Sequence, residues 1–365
     1  MRKVRIAWPG MTILRLDTLY CRSKITSKWL SSVALLALVI GVSAAIWLIV
    51  FGQAHVGPPD EPGPYSVANY TVSYGMSGYG TYEATIRYPV LNSSEAAQKD
   101  ESNAPYPGIV VSSGLHGGEW SVSWISEHLT SHGYVTLGFT PPDPGLGVWT
   151  QWADGFTGGI QELKRQGNDS SSPIFGMLDF NTFGTIGLSM GGGGCIEAAG
   201  TAGSEVDAAV ALAPGGYSSD RFAAGNVTSV MKAAANITVP IQLQVGSNDA
   251  MVPPERVYPF YSDLIPDTTV KQYVEIDGGN HIGFLNQEFA EVAEYIRQEM
   301  PDLAQMVGTD APCEIGFEEQ RRVSARYFTA WFQYHLKGIT GYEQYIFGGG
   351  SAEENVSVLI YNRPQ

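Results

Sequence analysis

Positive charge is scarce in this chain beyond its first residues. The 365 residues include 21 Lys and Arg against 36 Asp and Glu. Seven of the basic residues, Arg2, Lys3, Arg5, Arg15, Arg22, Lys24 and Lys28, precede the first long apolar run. After Gly52, 14 basic residues face 35 acidic ones. A surface of that sign repels a polyanion, so nucleic-acid binding is not expected. Cysteine is equally sparse: three in 365 residues exclude a disulfide-stapled scaffold. The six histidines form no H-E-x-x-H pattern, and no glycine run matches G-x-x-x-x-G-K-[ST]. Neither a metal site nor a phosphate loop is signalled, and no cofactor is expected. Disorder is excluded for most of the chain by its 44% hydrophobic content.

What the sequence does have, early, is one long uncharged run. Val33 to Phe51 reads VALLALVIGVSAAIWLIVF. As a helix rising ~1.5 Å per residue it spans roughly 28 Å, the thickness of a bilayer's hydrocarbon core. The basic flank on its amino-terminal side places residues 1–30 in the cytoplasm, a transmembrane anchor over 31–51, and everything later outside the cell. A cleaved signal peptide followed by secretion is the rival expectation, because small residues surround Gly52 and Ala54. Glycosylation sequons at Asn69, Asn92, Asn168, Asn226, Asn236 and Asn355 all lie on the external side. Residues 52–65, with GPPDEPGP at their centre, are expected to be a linker.

Residues 66–365 are expected to form one α/β domain. Two alternating segments, Tyr70–Tyr74 and Tyr82–Tyr88, predict a hairpin. Short apolar runs then alternate with helical stretches. The strands are expected at Gly108–Ser112, Tyr134–Phe139, Thr185–Leu188, Ala208–Leu212, Ile241–Val245 and Val270–Ile276. The helices are expected at Trp120–Ser131, Trp149–Arg165, Gly192–Ala202, Pro254–Leu264 and Ser324–Leu336. Such alternation implies a mostly parallel sheet flanked by helices.

Gly187-Leu188-Ser189-Met190-Gly191 matches G-x-S-x-G between a strand-like FGTIGL and a glycine-led helix. That order is what a nucleophile elbow needs: a sharp turn that exposes Ser189 and sets the Met190 N–H at a helix start, ready for an oxyanion. Serine nucleophiles need a base, and the base needs a carboxylate. His281, in GGNHIGF after a strand, is the first candidate base; His335, inside YFTAWFQYHLKG, is the other histidine after Ser189. Asp249, at the carboxyl end of IQLQVGSN, is the leading acid, with Asp277 and Glu275 as alternatives. The second oxyanion donor is sought in SSGLHGGEW, where the Leu115 and His116 N–H groups are candidates. Cys195, inside the elbow helix, reads as a small buried thiol, and its pairing with Cys313 is left open.

GLSMGGGG, SGLHGGEWSVSWISEHLTSHGYV, VGSNDAMVPPERVYPFYSDL and VEIDGGNHIGF resemble the bacterial cutinase and polyester (PET) hydrolase group. That group lies within the dienelactone-hydrolase-like branch of the α/β-hydrolases. The resemblance covers about Pro64 to Phe284, the final helix and YEQYIFG. It implies an α/β-hydrolase fold and an ester hydrolase acting on a small ester, a lipid or a polyester. Ser189 would be the nucleophile, His281 the base, Asp249 its orienting acid, and Met190 and Leu115 the oxyanion N–H donors. Two aromatic rings that clamp substrate in the family are replaced here by Leu115 and Gly215. His116, Trp120, Trp149 and Trp152 are the further candidates for substrate contact. Residues 283–323, where the family has a short link, are expected to form a lid. A lipase or feruloyl-type esterase is the alternative enzyme, and a non-catalytic binding module on the same fold is the alternative of another class.

Overall fold

A computed structural model describes residues 57–364 apart from 77, 92–98, 202, 218–226, 301–309 and 348–354. The basic segment 1–30, the expected anchor 31–51, residues 52–56 and the sequons at Asn92 and Asn226 lie outside the described residues. Among the described residues no helix is long and apolar enough to cross a membrane.

The apolar runs become strands of one nine-stranded sheet, ordered β1-β2-β4-β3-β5-β6-β7-β8-β9. β1 (Ser66–Met76) and β2 (Gly80–Val90) form the expected hairpin at one edge. The six strands β3 (Tyr106–Ser112), β4 (Val135–Thr140), β5 (Leu178–Leu188), β6 (Ala208–Leu212), β7 (Ile241–Gly246) and β8 (Lys271–Ile276) run parallel. β9 (Val356–Asn362) closes the other edge antiparallel to β8. β9 was not expected from the sequence. It is an edge strand with a half-exposed face, so it lacks the fully apolar run that marks the buried strands.

Successive side chains along a strand point to opposite faces, and both faces here are covered. Val110, Ala209, Ala211, Leu243 and Val245 face α2 (Trp149–Asn168) and α3 (Met190–Ala199). Ile109, Val111, Ile186, Val210 and Leu212 face α1 (Ser123–Ser131) and α7 (Phe317–His335). Between them in sequence are α4 (Val227–Ala234), α5 (Pro254–Pro259) and α6 (Gln287–Glu299), with α8 (Glu343–Ile346) near the end. Gln242 and Gln244 are fully buried under α7. They are tolerated because their amides donate to the Tyr327 and Ser324 carbonyls at 3.1 and 3.2 Å.

The stretch from Gly57 to Pro64, expected as part of a linker, is held against the domain. Asp60 pairs with Arg322 and Arg326, each at 2.7 Å. His128 and His132 hold the Pro59 and Glu61 carbonyls, both at 2.9 Å, and the Gly63 N–H donates to Ser131 Oγ at 2.8 Å. Gly and Pro set the backbone path there, but side chains of α1 and α7 fix it.

Candidate active site

The site gathers at the carboxyl ends of the parallel strands. β5 ends at Leu188 and α3 begins at Met190, so Ser189 occupies the turn between them. Its backbone has φ 58° and ψ −114°, a conformation that L residues rarely adopt. The neighbouring glycines explain how the turn is possible. A Cβ on Gly187 would lie 2.3 Å from the Gly191 carbonyl oxygen, and one on Gly191 would lie 2.3 Å from that of Ser113. The Ser189 carbonyl accepts from the Gly193 and Gly215 N–H groups at 3.0 and 3.1 Å, which locks the turn.

Asp249 and His281 approach from the ends of β7 and β8. Asp249 Oδ2 lies 2.7 Å from His281 Nδ1. Asp249 Oδ1 accepts from the Met251 and Val252 N–H groups at 3.0 and 2.6 Å. Both residues are buried, Asp249 at 2% exposure and His281 at 6%. Ser189, Met190 and His281 line one cavity of about 320 Å³ with Leu115 and His116. The His116 N–H is already donated to the Pro144 carbonyl at 2.8 Å, which leaves Leu115 as the candidate second oxyanion donor.

The other candidates are placed elsewhere. His335 packs tilted against Trp331, with ring centroids 4.2 Å apart and planes at 57°, and burial lowers its pKa to about 4. Among the described residues its Nε2 has no hydrogen-bond partner. Glu275 accepts from Tyr273 Oη at 2.9 Å, and the Asp277 N–H is tied to Asn355; neither lines the cavity. Trp149 lines the cavity. Trp152 is fully buried behind it, donating Nε1–H to the Ser113 carbonyl at 3.1 Å, and Gly215 also lies outside the lining. Cys195 and Cys313 are both free. Burial raises the Cys195 thiol to about 12, consistent with an inert core residue.

Two histidines do stand at zinc-type spacing: His128 on α1 and His132, the residue that caps its carboxyl end, form H-x-x-x-H. Their Nε2 atoms are committed to backbone carbonyls. Among the described residues no group of three His, Cys, Asp or Glu side chains is arranged to hold a metal.

Comparison with known proteins decides the family. Residues 59–300 match the model of the PETase, PET hydrolase-like, family. The chain belongs to this family. A cutinase from Thermobifida fusca (strain YX) is 27% identical over 277 residues, covering 71% of this chain and 79% of that protein. Cutinase 1 of Thermobifida cellulosilytica is 28% identical over 221 residues, 60% of this chain and 72% of its own. A bis(hydroxyethyl) terephthalate hydrolase of Streptomyces coelicolor (strain ATCC BAA-471 / A3(2) / M145) is 27% identical over 241 residues, 64% and 65% respectively. Family membership makes the chain a serine ester hydrolase on an α/β-hydrolase fold.

This PET hydrolase-like chain also contains site residues that sequence reasoning missed. Within residues 283–323, Leu285 and Phe289 line the cavity. Asn286 anchors them: its N–H donates to the Ser121 carbonyl at 2.8 Å, and its Nδ2 to the Trp120 carbonyl at 3.0 Å. Phe289 thereby meets Trp120, ring centroids 4.7 Å apart, at the rim. Asp310, beyond α6, is buried at 5% exposure and accepts from the N–H groups of Ala250, His281, Ile282 and Ala311. No local motif marks these residues; their roles depend on contacts 28 to 166 positions away in sequence.

Proposed function

We propose that Ser189, His281 and Asp249 are the catalytic triad of an extracellular carboxylic-ester hydrolase. The observation that carries this reading is the 2.7 Å contact from Asp249 Oδ2 to His281 Nδ1, in the cavity that the elbow serine also lines. Asp249 accepts the Nδ1 proton, so Nε2 carries the lone pair that takes the Ser189 proton. Ser189 Oγ attacks the ester carbonyl, and the Met190 and Leu115 N–H groups hold the oxyanion. His281 then protonates the leaving alcohol. The acyl-enzyme is cleaved by water, with the same base and donors.

The cavity wall is predominantly apolar: Leu115, Trp120, Trp149, Val252, Ile282, Leu285 and Phe289. Such a lining suits an aliphatic or aromatic acyl group, and among the described residues it contains no Lys or Arg to pair with a second carboxylate. The Trp120–Phe289 pair at the rim favours short soluble esters over a chain lying on a solid, so aromatic polyester is proposed as a slower substrate. A panel of p-nitrophenyl esters beside bis(hydroxyethyl) terephthalate and PET film, each assayed with wild type and Ser189→Ala, tests this. Turnover of the short esters that survives in Ser189→Ala would refute the triad. Faster release from film than from the soluble diester would refute the size preference.

The charge asymmetry around Val33–Phe51 supports anchoring in the cell membrane with the ester hydrolase domain outside. Exposed Asn69, Asn168 and Asn236 are open to glycosylation on that side. Labelling of intact cells with a membrane-impermeant fluorophosphonate tests the orientation: labelling only after lysis would reverse it. A mature amino terminus just after Ala54 would mean a cleaved signal.

A further inference from the structure

We propose that Asp310 is a positioning residue of the ester-hydrolysis site: its carboxylate joins the loop that carries Asp249 to the loop that carries His281, and adds a negative charge beside the imidazole. The inference rests on the triad reading above.

The geometry is that of a clamp. Asp310 Oδ1 accepts from the Ala250 N–H at 2.9 Å, the residue after Asp249, and from the Ala311 N–H at 2.9 Å. Oδ2 accepts from the His281 N–H itself and from the Ile282 N–H at 3.1 Å. Each oxygen thus faces two donors, which suits an ionised carboxylate and leaves little place for a proton. The base loop is fastened to the same segment a second time. Asn280 Nδ2 donates to the Ala311 carbonyl at 2.6 Å, and Gln320 Nε2 to the Asn280 carbonyl at 2.6 Å. Neither end of the 2.7 Å Asp249–His281 contact is therefore left to its own loop.

The charge matters as well as the bonds. Burial and the neighbouring Asp249 raise the Asp310 pKa, while His281 acts to lower it. Cys313 is the further titratable group on which Asp310 acts. Attraction between Asp310 and His281 is mutual, so the carboxylate stabilises the imidazolium that forms when His281 takes the serine proton. A purely structural clamp would lack this second effect.

Replacing Asp310 by Asn keeps the outline but removes the charge and, because an amide nitrogen cannot accept, one of the two acceptor atoms of the clamp; replacing it by Ser removes the charge and the whole clamp. In Asp310→Asn, kcat on a short p-nitrophenyl ester is expected to fall about 10- to 100-fold with KM within about twofold. The acidic limb of kcat/KM is expected to move down by about half a pH unit or more, because the imidazolium loses an anionic neighbour. Asp310→Ser should show the same shift in the limb with a larger loss in kcat. A limb unmoved in both folded variants, or kcat retained within about twofold, would overturn the proposal. So would failure of both variants to fold, since Asp310 would then be a stability element. If the wild type shows no Ser189-dependent turnover, the triad reading fails; if it does and the limb stays in place, only the role of Asp310 fails.

Discussion

Asp249 and His281 stand 32 positions apart in sequence, yet their side chains meet at 2.7 Å because β7 and β8 are adjacent parallel strands that end at the same level. Asp249 belongs to the turn after β7 and His281 to the turn after β8, so the sheet's register sets their approach. If the role of the contact is to orient the imidazole, Asp249→Asn should lower kcat by about 10³- to 10⁴-fold and leave the fold intact. Stopped-flow and steady-state assays on a p-nitrophenyl ester check this, with circular dichroism for the fold. A loss below about tenfold would assign the orientation of His281 to another group.

His335 provides the complementary test. Its imidazole is buried against Trp331 and its pKa is lowered to about 4. Above the unfolded value near 6.5, both states are neutral and the group has no effect on pH dependence. As pH falls from about 6.5 towards 4, the unfolded chain takes a proton that the folded chain resists, so stability is lost in that window. The limit is about 3 kcal/mol for a shift of this size. His335→Phe should therefore keep ester turnover near wild type and melt higher than wild type at pH 5 by a wider margin than at pH 8. Loss of turnover with the fold intact would restore His335 as a candidate base.

Glu197 has the opposite sign. It lies on the nucleophile helix α3 at 8% exposure, and burial raises its pKa to about 7. Below the unfolded value near 4.5, both states hold the proton. Between about 4.5 and 7 the unfolded chain releases it and the folded chain does not, so stability declines as pH rises. Glu197→Gln should raise the melting temperature at pH 8 more than at pH 4.5. Equal shifts at both pH values would mean that the carboxyl is not strained by burial.

Much of this arrangement is legible in the sequence, for a physical reason. Buried parallel strands such as Ala208–Leu212 need apolar side chains on both faces, and the predicted span there coincides with the observed β6. The elbow is legible because only glycine fits at Gly187 and Gly191. β9, Asn286, Phe289 and Asp310 are not legible, because each acquires its role from a distant partner. The docking of Gly57–Pro64 is hidden likewise: its proline-rich text describes a flexible linker, while Arg322 and Arg326 that hold Asp60 lie more than 260 residues later.

The glycines of the elbow make a sharp prediction about packing. A methyl group on Gly191 would sit 2.3 Å from the Ser113 carbonyl oxygen, and neither backbone can retreat without opening the site. Gly191→Ala should destabilise the domain by about 1–3 kcal/mol and reduce kcat, measured by chemical denaturation and ester assay. Gly176, where nothing lies within 4 Å of the added atom, has φ +75° and tests backbone strain alone. Gly176→Ala should lower stability with kcat unchanged. Equal losses of kcat in the two variants would contradict the crowding argument.

The triad mechanism requires that Ser189 Oγ is the atom acylated. Incubation with a fluorophosphonate followed by peptide mass spectrometry tests that most directly, with residual ester turnover measured on the same samples. One adduct is expected, on Ser189, with turnover falling in proportion to its occupancy, and no adduct in Ser189→Ala or His281→Ala over the same time. An adduct on another residue, or turnover that persists when Ser189 is fully labelled, would contradict that mechanism.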